Sequence, residues 1–377
     1  MVDHQFKDGQ SEYVFVKRNY GDPMRFGWLS LSLSPSLQED NSRIHQTIQQ
    51  VQEAEALGFK DVWLTEHYFT GESVYNDAIV FASALAMRTE TIRLGFAVVQ
   101  MPFHHPVRLA TQLALLDNLS NGRIDVGVGK GTVFNEYEFI GYGLRSSDSR
   151  KRTQESLEIL EKAWANKPLR YRGEFYDIDV PAIRPAPVQQ PGPPIWRSVI
   201  SADSFRECGR LGIPILTSRL PVSSIASRWK LYKEGLNEGG HDKNIQQQLL
   251  EKNALWRNVY VSGSDNQAED ELNEMLIKTR QHMMEVREEL NPEDFTINPE
   301  TLNDWTDPKV SHQQGAAMAI ETGSIFGSPK KVKEQVAELR DAGVNHLLCQ
   351  TGFGAMDNDS NLRSMRLFGN EVIPSFS

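Results

Sequence analysis

The sequence has few cysteines and no long apolar run, and each shortage excludes a class of protein. Only two cysteines occur, Cys208 and Cys349, too few for a disulfide framework and without metal-ligand spacing. No apolar stretch approaches the length of a membrane span, and the polar amino terminus lacks the apolar core of a secretion signal. These shortages predict a protein of the reducing cytoplasm.

Positive charge is also scarce. The 377 residues include 50 acidic and 40 basic side chains, which gives a net charge of −10. A chain with this charge repels nucleic-acid backbones and anionic lipid, so neither nucleic acid nor a membrane is an expected partner. With 39% hydrophobic and 24% charged residues, the composition is that of an ordinary globular protein large enough for a sizeable core.

What the chain does contain is an alternation of apolar strands, polar loops and amphipathic helices. The helices show apolar residues at three-to-four spacing, as at Ile44, Ile48 and Val51. Eight segments are strand candidates: FGWLSLSL, DVWLT, IRLGFAVVQM, RIDVGVG, IWRSVI, PILTS, LWRNVYVS and HLLCQT. Parallel strands need crossover helices, so this order predicts a TIM (β/α)8 barrel. An open doubly wound sheet would normally carry a glycine-rich turn after its first strand, and SLSPSLQED has no glycine.

The predicted organisation is an N-terminal extension, residues 1–24, followed by a single barrel domain, residues 25–377. Two segments interrupt the alternation. Residues 171–194 contain six prolines, which predict an extended irregular excursion. Residues 291–322 are long and polar, and we interpret them as a lid over the active site, with a surface insertion as the alternative.

In a barrel of this type the chemistry lies at the carboxyl ends of the strands. There the sequence has Lys130 after the fourth strand, Arg150 before the fourth helix, and Ser201 and Ser204 after the fifth strand. Two hydroxyls, the amides of a helix start and two cations would together hold a phosphate. The alternatives are a simple helix cap for Ser201 and surface charges for Lys130 and Arg150.

The second strand ends abruptly in the protonatable pair Glu66 and His67, which are either catalytic residues or solvated loop residues. Glu66 could orient the imidazole or face away from it, and strand alternation favours the second arrangement. His104 and His105 follow the third strand, where a capping or structural role is favoured over catalysis. A metal site is excluded because acidic or cysteine ligands at suitable spacing are missing.

The ordered stretches FGWLSL, AEALGFKDVWLTEHYF and GFAVVQMPFHHPVRLATQLALLDNLSNGRIDVGVGKG resemble the flavin-dependent monooxygenases related to the alkanal-oxidising subunit of bacterial luciferase. The resemblance covers residues 25–375. It implies a luciferase-like barrel that uses reduced FMN and O2 to oxygenate a small organic substrate, such as an aldehyde or another carbonyl compound, through a flavin C4a-peroxide.

The resemblance also assigns residues around the flavin ring. It puts His67 at the position of the active-site histidine, a residue type whose ordinary pKa suits proton transfer. It aligns Ala97 and Val98 with a non-proline cis peptide that supports the flavin. Two positions depart from luciferase: Gly129 replaces a reactive cysteine, and Arg219 replaces a tryptophan near the ring. Light emission and aldehyde specificity are therefore not expected to carry over.

For the cofactor phosphate, the resemblance implies binding by Lys130, Arg150, Ser201 and Ser204. Lys130 stands where luciferase has an arginine. This difference keeps the positive charge but loses the planar guanidinium, which can donate two parallel hydrogen bonds to a phosphate.

The chain has no dinucleotide fingerprint, so a separate flavin reductase is the expected donor of reduced FMN. Two other functions stay open: a deazaflavin-dependent oxidoreductase of the same superfamily that transfers hydride, and a catalytically idle flavin-binding subunit. The helix PVRLATQLALLDNL has a broad apolar surface, which predicts a dimer with itself or with a related chain.

Overall fold

The apolar segments of the sequence form parallel strands in the computed structural model, which describes residues 23–218, 220–299, 302–354 and 356–377. Most of the predicted N-terminal extension, residues 1–22, and Arg219 therefore lie outside the described residues. The strands are β1 Arg25–Ser30, β2 Asp61–Leu64, β3 Arg93–Gln100, β4 Ile124–Gly129, β5 Leu169–Arg172, β6 Asp177–Val180, β7 Ile195–Ser198, β8 Ile215–Ser218, β9 Ala254–Val261, β10 Ser324–Gly327 and β11 His346–Gln350.

Eight of these strands close into the predicted TIM barrel. Strands β1, β2, β3, β4, β7 and β8 are parallel neighbours in that order, and β8 pairs with β9, which pairs with β11, which returns to β1. All eight strands predicted from the sequence lie in this barrel. Strand β10, which the sequence reading missed, pairs with the carboxyl half of β9 outside the ring.

Helices cover the barrel. They are α1 Asp40–Ala56, α2 Ala78–Ala86, α3 Pro106–Leu119, α4 Glu136–Gly141, α5 Ser149–Ala163, α6 Ala202–Leu211, α7 Val222–Glu238, α8 Lys243–Lys252, α9 Asp265–Leu290, α10 His312–Gly323, α11 Pro329–Asp341 and α12 Asn358–Leu367. Local side chains determine where these helices begin. The Asp77 side chain accepts hydrogen bonds from two backbone amides of α2, and Pro106 is the first residue of α3. Within the described ranges, no helix combines the length and apolar character needed to cross a membrane.

Alternate side chains of each strand face the barrel interior and the surrounding helices. Leu29 packs inside with Trp63 and Trp196, whose rings meet edge to face at 5.1 Å between centroids. Its neighbour Trp28 faces outward into the larger core between strands and helices. The interior is therefore filled with side chains, and the open space for a ligand lies at the ends of the strands.

The amino ends of the strands are joined by a buried charge cluster around Asp61. This carboxylate accepts from Arg25, from Trp63 and from His346 Nε2, the last at 2.9 Å. Burial would raise the pKa of Asp61, but the charges of His346 and Arg25 outweigh burial and hold it well below its ordinary value. The cluster links β1, β2 and β11, so it contributes to closing the barrel.

The proline-rich excursion contains a hairpin that the sequence reading did not predict. Strands β5 and β6 pair antiparallel, with Leu169 opposite Val180 and Arg172 opposite Asp177. The expectation of irregular structure is therefore wrong for residues 171–180. All six prolines of the segment lie in residues 181–194, where no helix or strand forms and where the Arg184–Pro185 and Gln190–Pro191 peptides are cis.

The segment interpreted as a lid is partly helical. Its last part belongs to α10, which begins behind a capping box formed by Ser311 and Gln314. The part before α10 is fastened to α9, because Arg280 donates to the carbonyl oxygens of Trp305 at 3.0 Å and Asp307 at 2.7 Å. Residues 300 and 301 are outside the described ranges. Whether the segment moves as a lid stays a prediction.

Candidate active site at the carboxyl ends of the strands

His67 lies three residues beyond β2, with a carboxylate on each side of its ring. Nδ1 is 3.5 Å from Glu138 Oε1 and Nε2 is 3.8 Å from Glu72 Oε1, and the imidazole side chain is 21% exposed. Both separations are those of close ion pairs and are longer than well-formed hydrogen bonds. The ring is therefore held electrostatically from two directions.

The two carboxylates change the acidity of the ring. Burial alone would lower the pKa of His67, but the negative charges of Glu72 and Glu138 overcome burial and the opposing charge of Arg287, and the pKa rises to about 9. His67 therefore carries its proton at neutral pH. The pKa of His67 is therefore above the ordinary histidine value on which the sequence argument relied, and in this state the ring is a proton donor and a cation.

Glu66 faces away from His67, the arrangement that strand alternation favours. Its buried carboxylate accepts from the backbone N–H of Gln100 at 2.8 Å and lies 3.2 Å from His104 Nε2. The pKa of His104 is raised, since the Glu66 charge outweighs burial. His105 precedes α3 without a capping hydrogen bond from its side chain, and its ring contacts Tyr176. The structure thus pairs His104 with a carboxylate and leaves His105 at the surface.

Glu138 is a site residue that sequence reasoning missed. Its side chain is wholly buried, accepts from the Tyr68 N–H at 3.0 Å, and lies 3.5 Å from Gln100 Nε2. Gln100 Nε2 also donates to the Glu66 carbonyl oxygen at 2.6 Å, so the two carboxylate and imidazole pairs are connected. The signal was present in NEYEFIGYG, where a glutamate stands between two aromatic residues of an apolar stretch.

Helix α9 brings a second cation to this region. Arg287 Nε donates to Asn135 Oδ1 at 3.0 Å, and the guanidinium lies 5.3 Å from the centre of the Phe134 ring. Arg287 lines a cleft with Glu72 and His282, among other residues, and the empty space of the cleft is about 180 Å³ when the part open to solvent is included. Within the described part of the chain, Arg287 Nη1 and His282 Nε2 are buried without a hydrogen-bond partner. The cleft therefore has unpartnered nitrogen atoms near Glu72, the carboxylate that faces His67 Nε2.

The two serines predicted to bind phosphate are brought together at the start of α6. Ser201 Oγ and Ser204 Oγ are 2.7 Å apart, and Ser201 caps the helix by accepting from the Ser204 N–H at 3.3 Å. Lys130 follows β4, whose neighbour in the barrel is β7, with Val128 opposite Arg197. The loops that carry Lys130 and Ser201 thus follow adjacent strand ends, and both residues are exposed.

Arg150 is the second residue of α5 and is exposed. Among the described residues, neither Arg150 nor Lys130 forms an ion pair, whereas Lys151, next to Arg150, pairs with Glu174 at 3.1 Å. In that same part of the chain, no hydrogen bond joins either cation to Ser201 or Ser204. The structure assembles the serine pair and leaves the two cations without a carboxylate.

The Ala97–Val98 peptide on β3 is cis, as the resemblance implied. Both side chains are partly buried against the barrel interior. A Cβ on Gly129 would lie 2.4 Å from Val98 Cγ2, so position 129 has no room for a larger residue with Val98 in place. Arg219, the other position that departs from luciferase, is outside the described residues.

Comparison with known proteins identifies the family. Residues 24–346 match the family described as luciferase-like monooxygenase, and the chain belongs to this family. It is 26% identical to the limonene 1,2-monooxygenase of Rhodococcus erythropolis over 89% of this chain and 82% of that protein. It is 24% identical to the oxygenase component of the flavin-dependent trigonelline monooxygenase of Acinetobacter baylyi, over 88% of this chain and 89% of that protein.

Solved structures share the fold. A monooxygenase of Streptomyces bottropensis superimposes with a TM-score of 0.77 at 24% identity, over 94% of this chain and 100% of that one. The oxygenating constituent of the 3,6-diketocamphane monooxygenase of Pseudomonas putida, solved with FMN, superimposes with a TM-score of 0.73 at 20% identity, over 94% of this chain and 99% of that one. A coenzyme F420-dependent tetrahydromethanopterin reductase of Methanopyrus kandleri superimposes with a TM-score of 0.68 at 19% identity, over 94% of this chain and 100% of that one. At these identities the likeness shows the fold alone.

Proposed function

We propose that this chain is the oxygenase component of a two-component monooxygenase, which takes reduced FMN from a separate reductase and uses O2 to oxygenate a small organic substrate. Family membership supports the monooxygenase class, and one relative is itself named as an oxygenase component. The observation that supports the cofactor assignment is the serine pair at the start of α6, which follows β7, with Lys130 after the adjacent strand β4 and without an ion pair among the described residues.

The serine pair and Lys130 fit the phosphate end of FMN in charge and donor type. Ser201 and Ser204 would donate hydroxyl hydrogen bonds, the first amides of α6 would face the phosphate, and Lys130 and Arg150 would balance its charge. Asp203 in the same helical turn opposes an anion, but the two free cations outnumber it. The neutral apolar side chains of Ala97 and Val98 suit the uncharged face of a flavin ring.

Bound reduced flavin supplies the activation of O2 in this proposal, and the chain's own residues handle position, water and protons. His67 holds a proton on a ring fixed between Glu72 and Glu138, ready for donation to a developing negative charge. The aromatic side chains of Tyr68, Phe103 and Tyr142 pack together, with Tyr68 and Phe103 ring centroids 5.4 Å apart, and would limit the access of water.

The substrate is proposed only as a class. The cleft next to Glu72 is small, and the unpartnered Nη1 of Arg287 suits an oxygen acceptor such as a carbonyl group. An aldehyde or another carbonyl compound meets that requirement. We further propose that residues 291–322 act as the lid, since Arg280 links the part of this segment before α10 to α9, the helix that carries Arg287.

Anaerobic titration with reduced FMN tests the cofactor assignment. Arg150→Ala removes a charge-assisted phosphate contact worth about 1.5 to 3 kcal/mol, so the Kd for reduced FMN rises about 10-fold to 100-fold. Reduced riboflavin, which has no phosphate, should bind both proteins equally. Lys151→Ala is the matched control, because this neighbouring cation is already paired with Glu174. An affinity for FMN unchanged within error in Arg150→Ala would remove Arg150 from the site.

The same titration with a reduced deazaflavin separates the alternative functions. Oxygen consumption with reduced FMN and a panel of aliphatic aldehydes and cyclic ketones supports the monooxygenase. Selective binding of the deazaflavin, with no oxygen consumption, would instead indicate hydride transfer. FMN binding without product from any compound would indicate an idle subunit.

A further inference from the structure

We propose that Glu138 is a positioning residue for His67: its buried carboxylate fixes the orientation of the ring and keeps the proton on it. The proposal deepens the role given to His67 above and rests on that proposed function. It concerns a contact between two protein side chains, so it can be tested in the protein without flavin.

The geometry of Glu138 is that of a fixed support. Helix α4 presents the side chain toward the loop after β2, where the Tyr68 N–H donates to Oε1 at 3.0 Å and Gln100 Nε2 lies 3.5 Å from Oε2. The same Oε1 lies 3.5 Å from His67 Nδ1. Glu138 therefore contacts both the imidazole and the next backbone amide, which defines the ring position relative to its own loop.

The charge of Glu138 needs a cation. A wholly buried carboxylate is costly unless it is paired and hydrogen-bonded, and the backbone amide and Gln100 are neutral donors. The imidazolium of His67 is the nearest positive charge. Loss of the proton from His67 would leave Glu138 with neutral hydrogen-bond donors and with the charge of Arg287 as its remaining electrostatic partner, so the buried carboxylate resists that loss.

Other charged groups also face His67. Glu72 lies on the Nε2 side and favours the protonated ring, while Arg287 from α9 opposes it. The second pair, Glu66 and His104, is separated from Glu138 by the neutral amide of Gln100, and the charge of Glu66 is not among those that shift the pKa of His67. Glu72 has the largest charge effect on the pKa of His67, and the fully enclosed Glu138 adds both its charge and its contact with Nδ1.

Helix α4 also supplies a matched control. Glu136 is buried on the same helix, but its carboxylate accepts from the Ser146 N–H at 3.3 Å and does not contact His67. Glu136→Gln and Glu138→Gln each remove one buried negative charge from α4 while keeping side-chain size. Only the second change removes the charge that faces the imidazole.

Proton NMR titration of the histidine ring signals in the full chain is the test, with the His67 signal assigned by its loss in His67→Gln. Glu138→Gln should lower the pKa of His67 by about one pH unit or more, the usual effect of losing an adjacent opposite charge. Glu136→Gln should leave it unchanged, and Glu66→Gln should lower the pKa of His104 and leave that of His67. A His67 pKa in Glu138→Gln equal to that of the parent would overturn the proposal.

If Glu138→Gln does not fold, Glu138→Asp decides the question. Aspartate withdraws the carboxylate from Nδ1 by one methylene, so the proposal requires a smaller fall in the His67 pKa, and an unchanged pKa rejects it. Reduced FMN binding, measured on the same variants, separates this proposal from the cofactor assignment. A chain that binds no flavin but shows the His67 shift would retain the positioning role and lose the proposed function.

Discussion

At the scale of single residues, the two carboxylates beside His67 determine which proton chemistry the ring can perform. A histidine with a pKa of about 9 is protonated at neutral pH, so it can donate a proton or stabilise a negative charge. It is a poor general base until Glu72 or Glu138 is displaced or neutralised. The role of His67 therefore depends on Glu72 and Glu138, which are not part of the Glu66 and His67 pair at the end of the strand.

The first prediction concerns His67→Ala. Reduced FMN should bind nearly as tightly as to the parent, because the imidazole is not part of the proposed phosphate site. Oxygenation of carbonyl compounds should fall about 10²-fold to 10⁴-fold, the usual scale for a lost acid or base, with more hydrogen peroxide released per reduced FMN. Rapid mixing of the reduced-flavin complex with oxygen follows the oxygenation, and a peroxide assay measures the hydrogen peroxide released. The control is His105→Ala, which removes an exposed histidine near the same face. Parent-like coupling in His67→Ala would refute the role.

The second prediction concerns Asp61→Asn at the opposite end of the barrel. The change leaves the buried His346 and the partly exposed Arg25 beside a neutral amide, so the free energy of unfolding should fall by about 3 to 5 kcal/mol, as when one partner of a buried ion pair is removed. Urea denaturation measures it. Asp179→Asn breaks an exposed pair with Arg170 and should cost less than about 1 kcal/mol. Similar stability losses in both variants would contradict a stabilising role for the Asp61 charge cluster.

At the scale of elements, helix α3 has two faces with different surroundings. Leu109, Leu113 and Leu116 are buried against the barrel. Leu115 is 49% exposed and Leu119 is 41% exposed. Helix α2 contacts α3, and Val80 on it is 63% exposed. Apolar side chains on two adjacent helices form an outer surface that the described residues of one chain do not cover.

The third prediction is a dimer that forms through this surface of α2 and α3, either with a second copy or with a related chain. Leu115→Asp should convert a homodimer into a monomer at micromolar concentration, because burial of a carboxylate in an apolar interface is costly. Sedimentation velocity measures the change. Ile245→Asp is the control, since Ile245 is 43% exposed on the distant helix α8. A parent chain that sediments as a monomer would reject the homodimer.

At the scale of the whole molecule, the two ends of the barrel give opposite pH dependences of stability. The pKa of Asp61 is depressed in the folded chain, so its contribution is present above the ordinary value of 3.8 and is lost as the pH falls. The pKa of His67 is raised from 6.5 to about 9, so its contribution is complete below 6.5 and is lost as the pH rises through 9. Both contributions are therefore present together near pH 5 to 6.

The fourth prediction follows from these signs. Between pH 6 and pH 10 the parent should lose up to about 3 kcal/mol of unfolding free energy through His67, since one pKa unit corresponds to 1.36 kcal/mol. His67→Gln should lack this part of the alkaline loss and keep the acid loss. Urea denaturation at a series of pH values in both proteins gives the difference. Parallel curves above pH 6 would show that His67 does not have a raised pKa.

The sequence by itself determined the order of the elements. Hydrophobic alternation located all eight barrel strands, and the prolines of residues 181–194 marked the irregular segment, because strand and turn preferences act over a few residues. The same local logic failed for β5, β6 and β10, whose short segments gain strand structure from a partner. The resemblance added the Ala97–Val98 cis peptide, which the structure contains.

Only the tertiary structure decided the electrostatics of the site. Glu138 accepts from the backbone of Tyr68 across 70 residues of sequence, and Asp61 is bonded to His346 across 285. Neither pairing leaves a periodic pattern, because it depends on how α4 and β11 pack against their neighbours. A pKa depends on the distance to such charges and on their burial, so the sequence located His67 and the folded chain set its protonation state.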